Sequence, residues 1–257
     1  MSKISRVSRW EAIGLAVALS IAATTAADAA TCVGNCGVLG ANGVVTAPPI
    51  GGDYRYVVSN GPQGGGGLPG FAGTSGSTYT TDSFTAAAGD KLVFYFNYVT
   101  SDGAGFADFG WSALDTGGTS LTLFTARTTT SGNTVPGFAL PGLAPGVVLT
   151  PASTPIIGGG PVWSPLGSNS GDCYSTGCGY TGWIMSEYTV ANAGTYTLKF
   201  GTANWLDNAY QSGLAFAGLK IGDTPIDPPP TVPEPGTLAL LGLGLAGLGL
   251  SRRRRID

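Results

Sequence analysis

The sequence has no histidine. That removes Ser/His/Asp and Cys/His catalysis, histidine metal ligands and c-type haem attachment in one step. Charge is scarce as well: charged residues are 11% of the chain, against about 25% in an ordinary soluble domain. Between positions 30 and 235 the basic residues are Arg55, Lys91, Arg127, Lys199 and Lys220, facing twelve acids for a net charge of −7. A phosphate backbone demands a basic footprint, so this balance argues against nucleic acid as a partner. The only glutamates in that span are Glu187 and Glu234, which leaves a carboxylate-dependent hydrolase few residues to draw on. Glycine, by contrast, is abundant, at 43 of 257 residues. A turn-rich, weakly charged body of one domain fits that length and composition.

The two ends carry the clearest signals. Lys3, Arg6 and Arg9 precede an apolar run from Ala12 to Ala23, and Ala27-Asp28-Ala29 comes next with small residues where a signal peptidase reads. The run is short for a span of about 20 apolar residues, so a secretion signal cleaved after Ala29 is expected rather than an anchor. Thr31 before Cys32 replaces the Gly, Ala or Ser of lipoprotein signals, so lipidation is not expected. At the other end Asp227-Pro228-Pro229-Pro230 opens a stiff linker, because consecutive prolines favour extended backbone and block helix entry. Val232-Pro233-Glu234-Pro235 comes next, then an apolar run from Gly236 to Leu250, then Arg252, Arg253, Arg254 and Arg255. By the positive-inside rule the arginines stay in the cytoplasm and the body faces outward. A run of this length covers about 22 Å as helix, less than a hydrocarbon core of about 30 Å, which favours a transient tether over a permanent anchor.

This ordered trio resembles the PEP-CTERM sorting signal of Gram-negative bacteria. The resemblance implies processing by an exosortase, a membrane-embedded cysteine transpeptidase-like enzyme acting near Pro233-Glu234-Pro235. The expected organisation is a signal peptide over 1–29, a body over 30–226, a proline-rich linker over 227–231 and the sorting tail over 232–257. The route passes through signal peptidase and an inner-membrane intermediate to the cell surface or the extracellular space.

Between the ends, short β-rich runs alternate with Gly, Pro, Asn and Asp, and no stretch holds a helical apolar period. In Lys91–Val99 one face carries Leu92, Phe94, Phe96 and Tyr98 and the other Val93, Tyr95 and Val99, which predicts a strand central in its sheet. In Gly194–Phe200 only Tyr196, Leu198 and Phe200 face inward. Further strands are predicted at Tyr54–Ser59, Tyr79–Thr85, Phe106–Leu114, Leu121–Arg127, Trp183–Val190 and Leu214–Ile221. The fold class is all-β, an antiparallel two-sheet sandwich or jelly-roll-like body, flanked by an N-terminal signal helix and a C-terminal hydrophobic helix. Val135–Asp172, rich in Pro and Gly, reads as a functional or poorly ordered loop with at most one short strand near Val147–Thr150.

Cys32 and Cys36 form one close couple, Cys173 and Cys178 another. An oxidising compartment favours disulfides over a four-thiolate zinc site, with pairing inside each couple expected among three possible connectivities. A second resemblance covers Tyr79 to Leu219: Ala88-Gly89-Asp90-Lys91-Leu92, Asn97–Gly103, Phe106–Trp111, Asn204–Asn208 and Ser212–Phe216 are similar to an uncharacterised β-sandwich found ahead of PEP-CTERM tails. Gln211 stands where that pattern has an acid, which weakens a metal site there.

Asp102, Asp108, Asp207 and Asn208 fall in or beside predicted turns, and hard oxygens on loops suit calcium. The same residues form turns by bonding their own backbone, without any ion. Trp163 and Trp205, in loops, are the candidate platforms for stacking a sugar ring, whereas Trp111 and Trp183 belong to strands and the core. No catalytic set emerges and no other cofactor is expected. The expected function is therefore a non-enzymatic surface or matrix component with exopolysaccharide as its ligand. The alternatives are a two-carboxylate glycan-acting enzyme and a permanently anchored structural protein.

Overall fold

The computed structural model describes residues 30–227, so the two terminal helices expected from the sequence, the signal cleavage site and the sorting tail lie outside the described residues. Along the chain run β1 (Thr31–Val33), β2 (Asn35–Leu39), β3 (Tyr54–Val58), β4 (Gly76–Thr80), β5 (Phe84–Ala86), β6 (Lys91–Thr100), β7 (Phe109–Asp115), β8 (Ser120–Arg127), β9 (Val147–Thr150), β10 (Ile157–Gly158), β11 (Gly179–Tyr180), β12 (Ile184–Thr189), β13 (Gly194–Ala203), β14 (Ser212–Ile221) and β15 (Thr224–Pro225). Helix among the described residues is limited to 3-10 turns at Ala104–Phe106 and Ser164–Asn169. The strands build two antiparallel sheets. The smaller runs β1-β4-β13-β7-β8, with β5 also on β13; the larger runs β10-β11-β6-β14-β3-β2, with β12 on β6, β9 on β12 and β15 on β14.

The inner faces meet over the side chains that alternation singled out. Leu92, Phe94, Phe96 and Tyr98 of β6 pack with Leu198 and Phe200 of β13 in one buried cluster. Two stacked pairs bridge the sheets, Phe96 on Phe124 with centroids 3.6 Å apart and Phe200 on Phe216 at 3.9 Å. Burying each such ring contributes roughly 1.5–3 kcal/mol. As expected of a central strand, β6 is paired on both edges, by β14 and by β12. The single strand predicted over Tyr79–Thr85 is instead β4 and β5 on one partner. Thr80 faces Lys199 and Phe84 faces Tyr196, so four steps oppose three and one extra residue bulges out.

The chain enters through a corner. β1 belongs to the smaller sheet and β2 to the larger, with Gly34 between them at φ +101° and a disulfide joining Cys32 to Cys36 across the turn. Neither strand stands out in the sequence, because each is short and held by distant partners in β4 and β3.

The Pro/Gly-rich stretch holds two strands, β9 and β10, rather than one at most. It covers the edge of the smaller sheet: Gly137 N–H donates to the Thr125 carbonyl at 2.9 Å and Ala144 N–H to Thr122 at 2.8 Å. These bonds occupy backbone groups that an open edge would offer to another chain. Farther along, the stretch delivers Trp163 onto the outer face of the larger sheet, against Tyr54, Val58, Val99 and Ala215. The outer face of the smaller sheet is covered likewise, by Leu68 and Phe71 of the loop between β3 and β4 over Phe109, Trp111 and Ala203.

Candidate functional site

At one end of the sandwich the loops after β6 and β13 enclose a buried polar network. Tyr98 Oη and Thr128 Oγ1 lie 3.0 Å apart, and Thr128 donates to Thr100 at 3.3 Å. Ser212 Oγ lies 2.7 Å from Thr100 Oγ1 and donates to Asp108 Oδ2 at 2.7 Å, while Trp205 N–H donates to Asp108 Oδ1 at 2.8 Å. Asp102 Oδ1 accepts the Gly103 N–H at 2.6 Å, and its Oδ2 has no partner within the described residues. Asp102 and Asp108 are both wholly buried. Burial drives the Asp102 carboxyl up to about 7, reinforced by the charge of Asp207 and opposed by the Gly103 N–H. Asp108 is pushed well above the ordinary range, first by burial and then by the neighbouring charge of Asp102.

These aspartates were candidate calcium ligands together with Asp207 and Asn208, and the structure does not assemble the four. Asp207 turns its Oδ1 to its own loop, accepting Ala209 N–H at 3.1 Å, and Asn208 is exposed. Among the described residues no three acidic or cysteine side chains gather as a metal-binding set. Gln211 uses both ends of its amide: Oε1 accepts from Ser59 Oγ at 2.9 Å and Nε2 donates to the Asn208 carbonyl at 3.0 Å. An ionised acid at that position could not make the second bond.

The tryptophans also fall differently from expectation. Trp163 is 0% exposed; its indole N–H donates to Tyr54 Oη at 2.8 Å and its ring meets Tyr56 edge-on at 5.9 Å. It has no face open to a sugar. A buried indole in a loop needs a partner for its N–H, and Tyr54 supplies one. Trp205 is half-buried, with Phe71 stacked on it at 4.8 Å and the Arg127 guanidinium 5.1 Å from its centroid. Arg127 lies as close to Phe71 and Phe138, at 5.2 and 4.8 Å, in a cage of three rings. Burial lowers its pKa, and the charges of Tyr98 and Asp108 act against that fall. Trp111 is core as expected, and Trp183 is half-buried with its N–H on the Thr46 carbonyl at 3.0 Å.

A concave surface lies elsewhere, on the outer face of the larger sheet where the Trp163 cover stops. It is a groove of about 580 Å³ crossing β3, β14, β6 and β12, within the range of about 300–1,000 Å³ usual for small-molecule sites. Ala217, Tyr95 and Met185 lie directly opposite one another in three adjacent strands and form its floor. A bulge in β14 between Ala217 and Lys220 places Gly218 at φ +68°, where an added Cβ would come within 3.2 Å of both Tyr95 and Ile50. Ile50, 59% exposed, stands at the lip. The Tyr95 platform was legible only as the outward member of a strand with two apolar faces.

One wall of the groove is the end of the body. Ile226 is buried in the main core, and Asp227 pairs with Arg55 at 2.9 Å and accepts the Tyr79 hydroxyl. Asp227, the first residue of the expected linker, is thus held by both sheets, and the rest of the linker lies outside the described residues. Both cysteine couples close as expected, Cys32 with Cys36 and Cys173 with Cys178.

Beyond Asp227 the comparison rests on the residues of the tail themselves. Residues 231–255 match the PEP-CTERM protein-sorting motif. The PEP-CTERM match spans Val232-Pro233-Glu234-Pro235, the apolar run and the four arginines, and it implies exosortase processing and export through the envelope of a Gram-negative cell toward its surface. No curated protein and no solved structure matches the chain.

Proposed function

We propose that the protein is a non-enzymatic component of the cell surface or extracellular matrix whose body binds exopolysaccharide. One observation carries the reading: a PEP-CTERM tail stands directly behind a sandwich that presents an open groove to solvent. Signal peptidase would free the N-terminus, the apolar run would hold a transient inner-membrane intermediate, and exosortase would cut near Pro233-Glu234-Pro235. A glycan-acting enzyme needs two carboxyl groups about 5–9.5 Å apart across an open cleft, one of them kept protonated. The carboxyls with raised pKa, Asp102 and Asp108, are sealed inside the loop end and do not line the groove, which favours a binding role.

The test is to purify the protein from the cell surface, determine its intact mass and pass it over exopolysaccharide isolated from the same cells. Retention without release of reducing ends is expected. Failure to be retained would overturn the binding role, and glycan cleavage would overturn the non-enzymatic one. A mature species still carrying Leu238 to Asp257 would establish permanent anchoring instead.

A further inference from the structure

Building on the exopolysaccharide reading, we propose that the groove on the outer face of the larger sheet is the saccharide site, shaped for a short run of a neutral or amino-sugar chain. A pyranose ring has an apolar face of C–H groups and a rim of hydroxyls, so its site needs an aromatic or aliphatic floor bordered by polar atoms. The groove has this layout. Tyr95 and Met185 form an apolar floor, and Asp53, Glu187, Lys220 and Asp223 stand along the border. From β3 to β12 the groove crosses three strand spacings of about 4.8 Å, about 14 Å in all, which suits an oligosaccharide better than a single sugar.

The charge of the border selects among glycans. Four acids, Asp53, Glu187, Asp223 and Asp227, face two bases, Arg55 and Lys220; Arg55 is paired with Asp227 at 2.9 Å and Glu187 with Lys91 at 2.7 Å, which leaves Asp53 and Asp223 against Lys220. That balance repels uronate and sulfate groups. The carboxylates accept hydrogen bonds from hydroxyls, and from the ammonium of an amino sugar more strongly. Gly218 keeps the approach to Tyr95 open, because any side chain there would stand between the ring and the Ile50 lip.

Calorimetric titration of the exported protein with three ladders tests the assignment: neutral gluco-oligosaccharides, chitosan oligomers and alginate oligomers. Binding of one of the first two and not of alginate is expected, with Tyr95→Ala weakening it about tenfold and Tyr95→Phe much less. The melting temperature of each variant controls for folding. If exopolysaccharide binds but Tyr95→Ala and Met185→Arg bind as tightly as the parent, the groove assignment fails while the broader reading stands. If no saccharide binds, the broader reading fails with it. Preferential binding of alginate overturns the charge argument.

A separate contact carries a second inference. The Ala30 backbone N–H donates to Asp82 Oδ1, and Ala30 packs against the main core. We infer that Asp82 is the receptor for the α-ammonium released when the secretion signal is removed. Hydrolysis of the Ala29–Ala30 bond places the hydroxyl of water on the Ala29 carbonyl and a proton on the Ala30 nitrogen. That nitrogen takes up a further proton at neutral pH. The contact thereby changes from an amide hydrogen bond to a charge-assisted pair. Amino-terminal sequencing of the exported protein should begin at Ala30. Asp82→Asn should lower the melting temperature of a chain beginning at Ala30 at least twice as much as that of a chain with Gly-Ser ahead of Ala30. Equal shifts in the two chains, or a different first residue, overturn the inference.

Discussion

Replacing Trp163 with alanine separates two readings of the same side chain. A ligand platform would lose affinity and little stability, whereas a buried plug would lose stability first. Trp163 is 0% exposed, gives its indole N–H to Tyr54 and sits so close to β14 that a Cβ on Gly213 would lie 2.4 Å from its ring. Truncating a buried Trp to Ala costs about 3–5 kcal/mol. At about 2–4 °C per kcal/mol for a chain of this size, that is a fall in melting temperature of roughly 6–20 °C. Trp163→Phe keeps a ring but strands the Tyr54 hydroxyl, a cost of about 1–3 kcal/mol. Urea unfolding of the oxidised body followed by circular dichroism, with saccharide titration in parallel, gives both readouts. The reasoning is refuted if Trp163→Ala unfolds within about 0.5 kcal/mol of the parent, the range typical of surface substitutions.

Three further outcomes are expected. Asp102 has a folded-state pKa raised to about 7 from 3.8, so its contribution is fully present below pH 4 and lost as pH rises through 7. Stability should therefore fall by about 2–3 kcal/mol between pH 5 and 8, and Asp102→Asn should flatten that slope in unfolding titrations. Protein purified without reductant should show no free thiols, and removal of either disulfide, which close over 4 and 5 residues, should cost about 2 kcal/mol in the same assay. In the tail, neutral replacements of Arg252 to Arg255 should let the segment slip through uncut, and alanine at Pro233, Glu234 and Pro235 should leave intact protein in the inner membrane, as cell fractionation with mass determination would show.

The strands with strict alternation were legible in the sequence because burial on one face leaves its period in the residues. β13 follows that pattern in its first seven residues, and β6 adds a second apolar face to it. β1 and β2 were not legible, since three and five residues around two cysteines carry no period and acquire their form from partners elsewhere in the chain. The outer apolar residues of β6 marked a second covered face, but nothing local tells which segment covers it. The cover comes from around Trp163, and Tyr95 remains half-buried where it ends. Asp102 and Asp207 lie in loops as expected, whereas Asp108, inside the strand expected over Phe106–Leu114, lies just ahead of β7. The burial of Asp108 was not foreseeable, because it depends on donors from Ser212 and Trp205, about a hundred positions from Asp108.

The way the body ends at Asp227 also determines how it bears a pull. A protein held by its C-terminal tail feels drag from its surroundings through that one residue, and β15 alone, two residues long, would peel from β14 one hydrogen bond at a time. Asp227 instead grips Arg55 of β3 in the larger sheet and Tyr79 of β4 in the smaller, with Ile226 seated between them in the core. Tension arriving along the tail would thus be divided between both sheets before any strand is stripped, and the two-residue β15 would not be the first to carry the load.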